Sequence, residues 1–332
     1  MLELRRMVGS LLVAGFDGHL LPHNFEAALK DGALGGIILF ARNYRDRDQL
    51  RRLTAMTTVA GGAQALIAVD QEGGRVVRFD GDFPTFPSPW HYAEAGDPEG
   101  LLAAAATTAR ELRKDGINLN LAPVCDLAPA TSDHVLYGRA YSSDPGTVAA
   151  VTTAQVQQFH RERVLACAKH FPGLASAIGD PHQVVARSQQ SREEFRHKDY
   201  APFRAAAQAD VDFVMTTHVR ADSLDPGQIA TFSEHIIEEE LRGEIGFSGL
   251  VISDDLQMLG ALEQINQVEA GVRALLAGND LLIYANLHDQ LDEVIGGMAA
   301  YAQHDERLAL RIAASYHRVS RFKKENAQFL SA

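Results

Sequence analysis

The chain has 332 residues, 46% hydrophobic and 22% charged, a balance that suits one large α/β domain or two medium ones. A formal net charge of −12 leaves no basic surface to neutralise phosphates, which argues against nucleic acid or an anionic membrane as the main partner. No apolar run approaches the ~20 residues of a membrane span. Leu11–Ala14 is too short and wrongly flanked for a signal peptide, so the sequence reads as cytoplasmic, with Cys125 and Cys167 as buried, reduced thiols.

In chain order, short apolar runs occur at Ser10–Phe16, Gly36–Phe40, Ala65–Val69, Ile117–Cys125, Val164–Ala168, Phe213–Thr217, Gly249–Ser253 and Asp280–Ala285. Helical sequence lies between them. Ala103–Lys114 stops at Asp115-Gly116, Ser233 opens a capped helix, and Val268–Ala277 stops at Gly278. Eight strands, each followed by a helix, is the count of a (β/α)₈ barrel, an α/β fold also called a TIM barrel. A doubly wound open sheet competes, but there is no GxGxxG turn, and the polar motifs are spread over many strand ends. Asp305–Asn326 reads as a terminal helix closing the outside of the barrel, and residues 1–332 read as a single domain without a linker.

In such barrels the chemistry sits at the C-terminal strand ends. Asp70 ends the third run, Asp126 the fourth, Lys169-His170 the fifth, His218 the sixth and Asp254-Asp255 the seventh. A single buried His or Asp is ordinarily a satisfied ion pair or a cap, but five successive strands aiming ionisable groups at one rim point to function. Three chemistries fit: glycoside hydrolysis with a carboxylate and a proton donor, Schiff-base chemistry at Lys169, and metal-assisted hydrolysis. Against metal, there is no HxH or HExxH pair, and His170, His182 and His218 stand far apart. Against the Schiff base, Lys169 adjoins His170 and faces many carboxylates, which keep it protonated.

The motifs GGIILFARNY (35–44), DQEGGRVVRF (70–79), LAPVCDLAP (121–129), GRAYSSDP (138–145), AKHFPG (168–173) and ISDDLQM (252–258) resemble glycoside hydrolase family 3, in particular its β-N-acetylglucosaminidases of the NagZ type. The likeness runs from about Leu11 to Asn286. It implies a (β/α)₈ barrel and a retaining exo-β-N-acetylglucosaminidase acting on a terminal β-linked N-acetylhexosamine, such as a muropeptide fragment, without cofactor or metal. It carries the nucleophile onto Asp254 and the general acid/base onto His182 with Asp180. Sugar hydroxyls fall to Asp70, Arg78, Arg139, Lys169 and His170. Lys169 and Arg139 are expected beside Asp254, keeping it ionised, and Asp180 is expected to fix the tautomer of His182. An imidazole repels incoming anions less than a Glu, which leaves phosphate open as an alternative acceptor to water. The alternatives are another family 3 exo-glycosidase or phosphorylase, and a sugar-binding relative without turnover.

The family pattern KHFPGHG followed by Asp-Ser-His is KHFPGLASAIGDPH here, so Leu174 stands for a His and Pro181 for a Ser, and Pro181 holds Asp180 extended. If this displaces the loop, Glu72 or His218 would supply the proton. Asp255 reads as a cap on the following helix or a brace for the Lys-His pair. Gly73-Gly74 reads as a sharp turn, Asp126 and His218 as supports of the pocket, and Trp90 as either a sugar platform or exterior packing.

Overall fold

Each of the eight apolar runs delivers one strand of a closed parallel barrel: β1 (Leu12–Ala14), β2 (Gly36–Leu39), β3 (Leu66–Val69), β4 (Leu119–Asn120), β5 (Leu165–Phe171), β6 (Phe213–Thr216), β7 (Leu250–Asp255) and β8 (Leu281–Tyr284). The computed structural model describes residues 2–129, 131–132, 134–181, 183–262 and 265–330. Closure comes from β1 lying parallel to β8, with Leu12 opposite Leu282 and Ala14 opposite Tyr284. Every residue of β1, β2, β3 and β8 is buried, as expected for a parallel sheet covered by helices on its outer face.

The long fourth run yields only a short strand. Pro123 has no N–H for the ladder, and beyond it Cys125 N donates to Lys169 O at 2.6 Å, so the segment follows the far end of β5. β5 and β7 instead outrun their apolar segments and carry Lys169-His170 and Asp254-Asp255 as strand residues. Both strands shift register there, between Ala168 and Phe171 and between Ile252 and Asp255. Such bulges at a barrel rim re-aim side chains. Side chains cap two of the helices. Asn266 accepts the Glu269 N–H ahead of helix Gln267–Ala277, and Ser233 accepts the Ile236 N–H ahead of the π-helix His235–Glu244.

One element has no counterpart in the strand count. Ala177–Ile178, Ala186–Ser188 and Val219–Ala221 form a small three-stranded sheet, so residues 179–181 and 183–185 belong to the tip of an antiparallel hairpin at the rim. Both cysteines are free and buried, and burial pushes the Cys125 thiol up to about 12. No helix among the described residues is long and apolar enough to cross a membrane.

The terminal helix, Glu306–Glu325, lies across the N-terminal mouth of the barrel, where the sequence suggested only its outside. Phe322 packs edge-on against Phe213 at the start of β6, with ring centroids 5.2 Å apart. Asp280, just before β8, is fully buried and draws in Arg242 at 2.8 Å, Arg311 at 3.3 Å and Arg318 at 3.6 Å. Lys323 reaches further in and donates to Gly35 O at 2.8 Å.

Burial pushes Lys323 down from 10.5 to about 8. Between those values the folded state gives up a proton that the unfolded chain keeps, so the contribution of Lys323 to stability rises with pH across that window. In urea unfolding at pH 7.5 and pH 9.5, the wild type should gain stability relative to Lys323→Met at the higher pH. Equal pH slopes for the two proteins would contradict this.

Candidate active site

The rim residues assemble around a buried lysine. Lys169, projecting from β5, is 2% exposed and places Nζ 2.7 Å from Asp70 Oδ1 and 2.6 Å from Glu72 Oε1. Asp70, just past β3, also pairs with Arg78 at 3.2 Å, and Glu72 takes a bidentate fork from Arg139 at 2.9 and 2.8 Å. The result is an alternating row, Arg78–Asp70–Lys169–Glu72–Arg139, with three cations against two anions.

The turn that makes this row possible is local. Asp70 and Arg78 are brought together by a tight hairpin in which Glu72 N donates to Val76 O at 2.9 Å. Gly73 and Gly74 carry it with φ of 97° and 59°, which makes them the sharp turn expected of this pair. Gln71 locks the hairpin: its Oε1 accepts the N–H groups of Arg78 at 2.8 Å and Phe79 at 3.2 Å, and its Nε2 donates to Phe79 O. Asn120 on β4 holds the Gln71 backbone in turn, through 3.0 and 3.1 Å bonds.

Burial opposes the charges of Asp70, Glu72, Lys169 and Arg139, and the neighbours outweigh it. Lys169 and Arg78 hold Asp70 below the ordinary carboxylate range, and Arg139 with Lys169 does the same for Glu72. Asp70 and Glu72 keep Lys169 above the ordinary lysine range, and Glu72 raises Arg139. An ammonium held in this way has no lone pair, so Lys169 is a donor and not a Schiff-base nucleophile.

His170 continues the row. Its Nδ1 lies 2.6 Å from Asp126 Oδ2 and its Nε2 3.4 Å from Arg139 Nη2; a guanidinium only donates, so Nδ1 carries the proton toward Asp126. Asp126 also accepts the N–H groups of His170 at 3.0 Å and Leu174 at 2.8 Å, which makes it the support the sequence suggested.

The paired carboxylates of β7 divide. Asp254 faces a cavity of about 380 Å³ that it shares with Asp70, Glu72, Arg139, Lys169 and Asp180. Its Oδ1 accepts the Asp255 N–H at 2.8 Å. Asp255 Oδ1 accepts the N–H groups of Gln257 at 3.0 Å and Ala285 at 2.8 Å, fixing the turn after β7 and tying it to the end of β8. His218 is fully buried; it meets Thr231 Oγ1 through Nδ1 and Asp255 O through Nε2, both at 2.9 Å, and so stiffens the strand end that carries Asp254. The expected cations beside Asp254 are engaged elsewhere. Lys169 and Arg139 pair with Asp70 and Glu72, and among the described residues no cation lies within ion-pair distance of Asp254.

Asp180 sits in the hairpin tip, where its carbonyl accepts the N–H groups of Gln183 and Val184 at 2.8 and 2.9 Å. The tip is latched from the β7 side, because Gly260 N donates to Pro181 O at 3.1 Å. A Cβ on Gly260 would come within 2.6 Å of that oxygen, so only glycine permits the approach. His182 lies outside the described residues. Leu174 is buried and lines the cavity with Pro181. Trp90 packs on Tyr137, with ring centroids 5.6 Å apart, and is not itself among the residues that line the cavity. The residue that sequence reasoning undervalued is Glu72, which joins Lys169 to Arg139; its place two residues after Asp70 in DQEGGR was the available signal.

The glycosyl hydrolase family 3 N-terminal domain model matches residues 4–321 of this chain. A beta-hexosaminidase of Stenotrophomonas maltophilia is 37% identical over 280 residues, covering 82% of this chain and 82% of that protein. A glycoside hydrolase family 3 beta-N-acetylglucosaminidase from Paenibacillus superposes with a TM-score of 0.88 at 31% identity over 97% of this chain, which spans 62% of that longer one. NagZ from Neisseria gonorrhoeae, in complex with N-trifluoroacetyl-D-glucosamine, gives a TM-score of 0.78 at 30% identity over 98% of both chains. A match running almost from end to end, on an eight-stranded parallel barrel whose strand ends gather these acids and cations, makes the protein a glycoside hydrolase, and the chain belongs to glycosyl hydrolase family 3.

Proposed function

We propose that the protein is a retaining exo-β-N-acetylglucosaminidase built as one catalytic barrel domain. The observation that carries this reading is that Asp254, Asp180 and the charge row line one cavity of about 380 Å³. Asp254 attacks the anomeric carbon, forming a glycosyl ester as the leaving oxygen takes a proton from His182. His182 then deprotonates the water that breaks the ester, and Asp180 orients the imidazole. Asp70, Arg78, Arg139, Lys169 and His170 hold the ring through charge-assisted hydrogen bonds. The names of the relatives, beta-hexosaminidase and beta-N-acetylglucosaminidase, support an N-acetylhexosamine as the sugar. Cytoplasmic hydrolysis of muropeptide fragments is the natural setting this implies.

An imidazole acid/base repels an incoming anion less than a carboxylate does, which supports a second reading, in which phosphate replaces water in the second step. Release of N-acetylglucosamine 1-phosphate on adding phosphate would establish that route, and free sugar alone would exclude it.

Asp254→Asn should fold normally and lose kcat by on the order of 10³-fold or more, because no covalent intermediate forms. A mechanism-based 2-deoxy-2-fluoro or 5-fluoro glycoside should label Asp254, and labelling of Asp255 or Glu72 would overturn the assignment.

Lys169→Ala should weaken both catalysis and folding, since it leaves Asp70 and Glu72 buried without their shared cation. A loss of about 3 kcal/mol in unfolding free energy is expected, together with about 2–4 kcal/mol in kcat/KM. Unchanged stability would mean that the row contributes little to the fold.

His182→Ala should slow substrates with poor leaving groups severely and those with acidic nitrophenol leaving groups far less in the first step, with Asp180→Ala a weaker copy. Equal losses across a leaving-group series would remove the pair from the acid/base role.

A further inference from the structure

The hairpin that carries Asp180 is tied at its base to a buried acid that does not line the cavity. Asp199, the last residue of the π-helix Phe195–Asp199, is 1% exposed, and its Oδ2 accepts the Gln190 side-chain N–H at 2.9 Å. The other end of that amide gathers the two roots of the hairpin. Gln190 Oε1 accepts the hydroxyl of Ser176, which precedes the outgoing strand; Ser176 and Ser188 meet through their hydroxyls at 2.9 Å. Ser188 ends the returning strand, and its Oγ accepts the Gln190 N–H at 3.2 Å. Ser223, just past the third strand of the small sheet, donates to Gln190 O at 2.6 Å.

Asp199 is itself placed from outside the hairpin. Tyr200 and Phe203, in the helix that follows it, pack on Phe171 at the end of β5, with ring centroids 5.4 and 5.2 Å apart. Gly173 approaches so closely that a Cβ there would lie 2.6 Å from Asp199 Oδ1, and the next N–H, that of Leu174, is taken by Asp126 at 2.8 Å. Two carboxyl groups therefore flank the root of the hairpin. Asp199 Oδ1 has no hydrogen-bond partner among the described residues, so ionisation would leave a buried, unsolvated charge there. Burial pushes the Asp199 carboxyl up to about 7; Asp126 pushes the same way, while the Gln190 amide, the Asp199 N–H and Lys198 pull against them. The folded state thus prefers the neutral acid, a preference fully present at acidic pH and lost as pH rises through about 7.

On the reading that puts the acid/base in this hairpin, we propose that Asp199 is a positioning residue for it, clamping both roots of the hairpin through Gln190, and that the clamp slackens when Asp199 ionises. Asp180 keeps its place at the cavity only while the base of the hairpin is drawn onto the helix behind it. The alkaline fall in activity then has two sources, the acid/base itself and the seat of the hairpin that carries it.

The test uses the ratio of kcat/KM for a β-1,4-linked N-acetylglucosamine disaccharide, whose leaving group must be protonated, to that for the 2,4-dinitrophenyl glycoside, which needs little protonation. At pH 6 the ratio should fall about tenfold in Asp199→Ala and be retained in Asp199→Asn, which keeps an oxygen for Gln190 and cannot ionise. Between pH 6 and pH 8.5 the ratio should drop further in the wild type than in Asp199→Asn, by about threefold. Hydrogen exchange at the backbone amides of Ala177–Ile178 and Ala186–Ser188 should quicken in Asp199→Ala, with thermal melting showing both variants folded. An unchanged ratio and unchanged exchange in Asp199→Ala, or the same pH course in the wild type and Asp199→Asn, overturns the proposal and leaves the proposed activity standing. A wild-type protein that hydrolyses neither substrate, with exchange still quickened in Asp199→Ala, overturns the proposed activity while the clamp itself stands.

Discussion

A charged lysine sealed inside a protein is tolerable only if its partners are sealed in with it, and the rim of this barrel is organised around that requirement. Lys169 is held between Asp70 and Glu72, and each carboxylate is held by an arginine on its other side. Removing Lys169 leaves two carboxylates without the cation they share, at a place with little access to water, so the row is coupled through its central member. It also fixes the chain path: the 70–78 hairpin, the end of β5 and the segment carrying Arg139 have to arrive together. What the row offers a ligand is a set of donors whose geometry is settled before binding.

With Lys169 engaged by Asp70 and Glu72, the two acids of β7 take different duties. Asp254 keeps its carboxylate toward the cavity, and Asp255 gives its own to the turn behind it. The division is enforced by the bulge between Ile252 and Asp255, by His218 on the Asp255 carbonyl, and by the side-chain bond to Ala285 N. Adjacent carboxylates on a regular strand would point to opposite faces in any case; here the alternation is used to give one acid to chemistry and the other to support.

Much of this was legible in the residues. Eight apolar runs marked eight strands, and Asp70, Lys169, His170 and Asp254 were placed at the C-terminal rim from position alone. Local signals carried that far because a strand end and the polar residue after it are neighbours in sequence. What remained hidden depends on distant partners. Glu72 meets Arg139 across 67 positions, and Asn120 grips Gln71 across 49, and neither pairing leaves a periodic trace. The hairpin bearing Asp180 reads as a loop in the sequence because its strands are two and three residues long, too short to show alternation. The bulges of β5 and β7 are likewise set by neighbouring strands and not by their own composition.

The helix Glu306–Glu325 has a consequence for how the protein comes to exist at all. It supplies Arg311 and Arg318 to the buried Asp280, and Lys323 to the carbonyl of Gly35, at the end of the barrel opposite the chemistry. On the ribosome those residues are made after all eight strands, so a nascent chain with every strand present still lacks two of the three cations that neutralise Asp280. Synthesis at about 5–20 residues per second leaves that interval open for a second or more. During it, Arg242 alone of the three cations is there to neutralise Asp280. Completion of the barrel's base is therefore a late event in the synthesis of the polypeptide.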